Sequence, residues 1–180
     1  MSRKLSFGSI LLMFVAIAAT AQEPPPSPKP GPEHAMLKSM EGTWDAVMKM
    51  AENPQAMKGV ATYTMECSGM WLASDFKMDD PNFKFQGRGL DGYDQNKKKF
   101  VGVWVDSMST APMTMEGTYD AATKTTTMSG EGPGQDGKPQ KYKMTTKHVD
   151  DDHQNFEMFM IGADGKATSA FTIAYSRRKK

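Results

Sequence analysis

From Gly42 onward the chain changes character at every second residue, in one short segment after another. That rhythm restricts the fold more than any other feature of the sequence, because a period of two belongs to strands with one buried face. Trp44, Ala46, Met48 and Met50 share a face, with Thr43, Asp45 and Lys49 opposite. Phe83 and Phe85 alternate with Lys84, Gln86 and Arg88, and Met113, Met115 and Tyr119 with Thr114, Glu116 and Asp120. Tyr142, Met144, Thr146 and His148 alternate with Lys141, Lys143, Thr145 and Lys147, and Phe171, Ile173 and Tyr175 repeat the pattern. Residues 100–105 are apolar on both faces, which predicts a strand covered on both sides. Turn signals separate the segments: Asn53-Pro54, Asp80-Pro81-Asn82, Asp94-Gln95-Asn96, Gly132-Pro133-Gly134, Asp136-Gly137, Asp150-Asp151-Asp152 and Asp164-Gly165. The expected fold is all-β, an antiparallel barrel of about ten strands, since serial strands with one apolar face close on themselves and so lose their exposed edges.

The N-terminal part reads differently. Arg3 and Lys4 precede an apolar run over residues 7–19, and Ala19-Thr20-Ala21 supplies a small-x-small cleavage pattern. Residues 1–21 are therefore expected to be a signal peptide. The run falls short of the roughly 20 apolar residues that a spanning helix needs. Because Gln22 rather than a cysteine directly follows the cleavage point, no lipid anchor and no stable membrane anchor is expected after cleavage. Export implies a secreted or periplasmic location. Residues 22–32, QEPPPSPKPGP, form a Pro-rich linker that cannot pair in a sheet. The domain then occupies residues 33–180, with a short helix first: Pro32 suits its opening turn, and Met36, Leu37 and Met40 lie on one side.

Charge and cysteine content exclude several classes. Without Arg3 and Lys4 the 22 basic residues become 20, against 21 acidic, a formal charge of −1. That balance gives nucleic acid no electrostatic purchase, and none is expected as a partner. The single cysteine, Cys67, has no intramolecular partner and is expected to be buried and inert at the end of a strand over residues 60–67. One cysteine and three scattered histidines do not make a structural zinc site. The sequence says nothing of oligomeric state.

Gly42-Thr43-Trp44 at the first strand and Arg177 near the last resemble the calycin superfamily, which includes lipocalins. There a Gly-x-Trp starts the barrel and a late arginine packs across the indole. The resemblance implies that Trp44 and Arg177 are structural partners at the closed end. Further segments resemble the bacterial domain of unknown function family 1579: residues 59–67, Gly69-Met70-Trp71-Leu72, Gly87-x-Gly89-x-x-Gly92-Tyr93-Asp94, residues 100–107, and Glu116-Gly117-Thr118-Tyr119-Asp120. Membership implies a barrel-like domain, often exported, with no assigned activity and no functional residues to carry over. Gly92-Tyr93-Asp94 with Lys98 also echoes Thr118-Tyr119-Asp120 with Lys124, which reads as one hairpin design used twice.

No catalytic constellation emerges. Gly87-Arg88-Gly89-Leu90-Asp91-Gly92 matches a dinucleotide fingerprint by spacing, but a strand rather than a helix follows it. Its glycines are expected to let a bent strand curve. Asp106 and Ser107 alternate to opposite faces, so they do not form a triad with His148. Of 17 methionines, Met1 and Met13 leave with the signal and 15 remain. Thioether clusters bind Cu(I), yet Met48, Met65, Met113, Met115 and Met144 fall at strand period, as core or cavity lining does. His148 is the ionisable group that the alternation turns inward. It reads as a histidine at the barrel mouth bonded to Thr146 or water, with a ligand contact or an axial haem bond as sharper alternatives. The expectation is a non-catalytic protein with no cofactor or metal, holding a small hydrophobic or amphipathic ligand against Met48, Met65, Phe85, Met113, Met115, Tyr142, Met144, His148 and Phe171. A structural or protein-interaction module of the envelope is the alternative, and an enzyme a more distant one.

Overall fold

Gly42 sits at φ +120°, a conformation that side chains disfavour, and the chain passes there from a short α-helix into the sheet. The structure, a computed structural model, describes residues 28–53, 55–80, 83–134 and 137–179. The expected signal peptide, the linker up to residue 27 and parts of three predicted turns lie outside them. Helix α1 (Pro32–Ser39) starts after the N-cap Gly31, with proline in its first turn, and buries His34 and Leu37. Ten strands follow: β1 (Gly42–Met50), β2 (Met57–Glu66), β3 (Trp71–Asp80), β4 (Phe83–Asp94), β5 (Lys99–Asp106), β6 (Met113–Asp120), β7 (Thr125–Pro133), β8 (Pro139–His148), β9 (His153–Ile161) and β10 (Ala167–Arg177).

Each strand pairs antiparallel with its successor, and β10 returns to β1, so the sheet is a closed barrel. Closure is in register from Trp44 opposite Arg177 to Met50 opposite Phe171. Cross-strand partners share a face. Trp44, Ala61, Phe76 and Gly87 therefore form one inward row. Asp45 and Lys77 lie outside.

The two echoing hairpins share one mechanism. Asp94 accepts from the amides of Asn96 and Lys97 at 2.9 and 3.0 Å, and Asp120 accepts from Ala122 at 2.9 Å. Lys98 and Lys124 then take φ of +54° and +52° to re-enter the sheet. Side-chain oxygens that mimic a backbone turn explain the repeated aspartate.

The interior holds two packed clusters. One joins Trp44, Ala46, Ala61, Phe76, Met78, Ile173 and Tyr175; the other, under α1, joins Leu37, Leu72 and Phe100. Two expectations need correction. Cys67 is exposed, because β2 stops at Glu66 and a 3-10 turn over Cys67–Gly69 swings the thiol outward at φ +49°. The outer face of β5 is also less covered than its apolar sequence implies: Val105 is 48% exposed, since nothing among the described residues packs over that face as α1 packs over the barrel end.

Candidate functional site

Alternating strand direction gives the barrel two unlike ends. At one end α1 presses Leu37 onto Leu72 and Phe100, with Met36, Met40, Met65 and Tyr93 around them. Trp44 and Arg177 complete this plug. The guanidinium lies 4.1 Å from the indole centroid, its Nη atoms donate to the carbonyls of Ser39 and Glu41, and its Nε donates to Asp151. Trp44 Nε1 donates to the Met40 carbonyl at 2.9 Å. A half-buried guanidinium with its donors met and its face stacked is an inexpensive way to seal a barrel. Among the described residues no helix covers the opposite end.

The lumen walls differ from side to side. Aromatic side chains pack the wall around β1 to β4 and β10: Phe85 stands edge-on to Phe76 at 6.0 Å, and Phe156 lies 5.8 Å from Phe171. The facing wall carries Met113, Met115, Tyr142, Met158 and Met160, which join neither packed cluster and stay part-exposed although they point inward. Inward positions on β5 to β7 are repeatedly glycine, namely Gly102, Gly117, Gly130 and Gly132, so that wall is thin. Flexible thioethers over bare backbone make that wall deformable.

The nine residues expected to line a ligand site divide accordingly. Met48, Phe85 and Phe171 border the packed wall towards the open end; Met113, Met115, Tyr142 and Met144 stand across from them. Met144 is buried at 4% and the other six are part-exposed. Tyr142 is held by its hydroxyl, which donates to the Pro133 carbonyl at 2.8 Å. Met65 belongs to the plug. His148 does point inward, but at the helix end rather than the open mouth; its ring pairs with Thr126, not Thr146, at 3.3 Å, and meets Tyr119 edge-on at 6.0 Å. Burial pulls its imidazole below the usual range.

Beside α1, between the plug and the ends of β6 to β9, lies a cleft of about 490 Å³ bordered by Trp44, Tyr119, His148, Gln154 and Arg177. Gln154 is 2% exposed and its Oε1 has no hydrogen-bond partner. The Arg177 donors are already committed to backbone carbonyls and to the Asp152 carboxylate.

The sequence reading missed Asp91, the most consequential polar group inside. It shares the inward face of β4 with Phe83, Phe85, Gly87, Gly89 and Tyr93, opposite Leu72 on one side and Gly102 on the other. Its carboxylate lies directly over Gly102, where any Cβ would collide with it. Loss of bulk water raises this carboxyl to about 7, and no cation offsets the effect. Asp91 nevertheless keeps some accessible surface. Both facts fit a group that is enclosed by the barrel without being packed on every side. Tyr63 stands nearby and pairs with Tyr175; burial pushes both phenols upward. Nearer the mouth, Asp106 accepts from Trp104 Nε1 at 2.9 Å. Asp91 continues the phase of Phe83 and Phe85, but across Gly87 and Gly89, where the alternation loses its contrast.

The glycine-rich stretch has a packing role. A Cβ on Gly87 would strike the Trp104 indole inside the barrel, and one on Gly92 would strike Trp71 outside. Two indoles lie flat on the backbone of one strand, which is why the stretch needs glycine and opens no helix. Among the described residues no group of three potential metal-ligating His, Cys, Asp or Glu side chains occurs.

A family model described as "Protein of unknown function (DUF1579)" matches residues 29–177. No curated protein matches the chain closely enough to count as a relative. Among solved structures, Rv2717c from M. tuberculosis is similar at a TM-score of 0.60 and 10% identity, covering 83% of this chain and 99% of its own. The S-type phycobiliprotein lyase CPES from Guillardia theta is similar at a TM-score of 0.52 and 10% identity, covering 82% of this chain and 93% of its own. At such identity the likeness is one of fold.

Proposed function

The chain belongs to the DUF1579 family of proteins of unknown function, and from that premise we propose that it is an exported, non-catalytic protein that holds a small apolar or amphipathic molecule inside its barrel. One observation carries the reading. Inward side chains of the β6, β8 and β9 wall, among them Met113, Met115, Tyr142, Met158 and Met160, stay part-exposed instead of joining the packed clusters. A barrel needed only as a scaffold gains from filling its interior, because each buried methylene contributes about 0.8 kcal/mol. Binding pockets, by contrast, are mostly apolar with a few placed polar groups, and Asp91, Tyr63 and Tyr175 are such groups.

Native mass spectrometry of the protein purified from its own host tests this directly. A carried organic molecule of a few hundred daltons is expected, released on denaturation. A bare mass from gently prepared protein, together with no uptake of amphiphilic probes, overturns it. Export has its own measurement: the exported form should begin at Gln22, and a chain retaining Met1 overturns that part.

A further inference from the structure

The inward-facing residues can be read for charge strand by strand. On the face formed by Trp44, Ala61 and Phe76, the register brings in Asp91 on β4, Asp106 on β5, His148 on β8 and Arg177 on β10. Arg177 and His148 both sit at the helix end, the first stacked on Trp44 with its donors on carbonyls and the second against Thr126. Between the open mouth and the plug, the charged side chains among the described inward residues are thus both acidic. Asp106 stands near the mouth, and Asp91 lies deeper, on a strand neighbouring Leu72 of the plug. About 20 Å of strand separates Asp91 from Phe85, at roughly 3.3 Å per residue.

We propose that the lumen selects a cationic amphiphile, a molecule with an apolar body and a protonated nitrogen, whose ammonium pairs with the Asp91 carboxylate at the floor while the body lies against the methionine wall. This rests on the carrier reading and narrows it to one ligand class. The physical reason is the mismatch between Asp91 and its surroundings. An enclosed carboxylate is tolerated when it is paired, yet its neighbours are Leu72 on β3, Gly102 on β5 and the phenol Tyr63 on β2. None of these is a cation. The unliganded protein meets the cost by holding a proton there to about pH 7. An ammonium meets the same cost by pairing, and Tyr63 can accept a second hydrogen from it. A fatty acid would put a second carboxylate beside the first with no arginine or lysine to receive it. Asp106 at the mouth, held by Trp104, favours approach of the same sign of charge.

The experiment is a calorimetric titration of the purified protein with three probes of equal chain length, dodecylamine, 1-dodecanol and dodecanoate, each below its micelle concentration. At about pH 8 dodecylamine should bind tighter than dodecanol by about tenfold or more, with dodecanoate weakest, as a charge-assisted bond in an enclosed site implies. Below about pH 7 the amine must displace a proton from Asp91, so its affinity should fall while that of dodecanol holds. Asp91→Asn should bring the amine down to the level of the alcohol. Equal binding of all three probes, or preference for dodecanoate, overturns the selection and leaves the carrier reading standing. Binding of none overturns both. The comparison within the unsubstituted protein decides the matter even if Asp91→Asn fails to fold.

Discussion

Arg177 lies across the Trp44 indole at 4.1 Å and ties the end of α1 to the seam between the first and last strands of the barrel. One contact therefore holds a helix, two strands and the barrel closure. Trp44→Ala should lower stability by roughly 3–5 kcal/mol, as removal of a core aromatic does, measured as a shift in the urea midpoint. An unchanged midpoint would show that the indole is not buried. Arg178 points outward to Asp45, so Arg178→Ala should leave the midpoint nearly where it was.

Asp91 makes stability fall as pH rises across a defined window. The folded protein keeps that proton to about pH 7, whereas an unfolded chain releases it near 3.8. Between those values the folded state binds more protons, so deprotonation favours unfolding; above about pH 7 the effect levels off. The full loss is as much as about 4 kcal/mol at about 1.36 kcal/mol per pKa unit. Asp91→Asn should remove that slope and be the more stable protein at pH 8. Parallel pH profiles for the two proteins would show that Asp91 is solvated.

Gly87→Ala should cost about 1–3 kcal/mol, because the new methyl displaces Trp104 from the backbone it lies on. It should also shift the emission of Trp104. Gly92→Ala should disturb Trp71 on the outer surface instead, leaving the environment of Trp104 intact. If both variants are neutral, the indoles do not lie on β4.

Cys67, exposed on the turn after β2, should react with a thiol reagent in the folded protein at close to one equivalent. Labelling that appears only on denaturation would return the thiol to the interior.

The sequence made the barrel legible because its inward residues are large and apolar: Trp44, Phe85, Met115, Met144 and Phe171 all keep the phase that the register shows. The closed end was legible too, through two residues 133 positions apart. What the alternation hid was the charge inside. Asp91 occupies an inward phase, but it follows Gly87 and Gly89, where hydrophobicity falls and the period fades. His148 was read at the right face and the wrong end, since alternation sorts faces and says nothing of height along the barrel. Cys67 was misplaced for a local reason: β2 ends one residue earlier than its apolar run suggests.

The seam between β1 and β10 also sets an order of events. Nine of the ten strand pairs join neighbours in sequence, but the tenth joins residues such as Trp44 and Arg177. Until β10 has left the ribosome, β1 offers an open edge and the apolar lumen stays split along its length. Contacts between distant parts of a chain form slowly, so the barrel of an unfinished chain stays open and its apolar face in need of shielding. A channel that threads only unfolded polypeptide would meet it in a usable state.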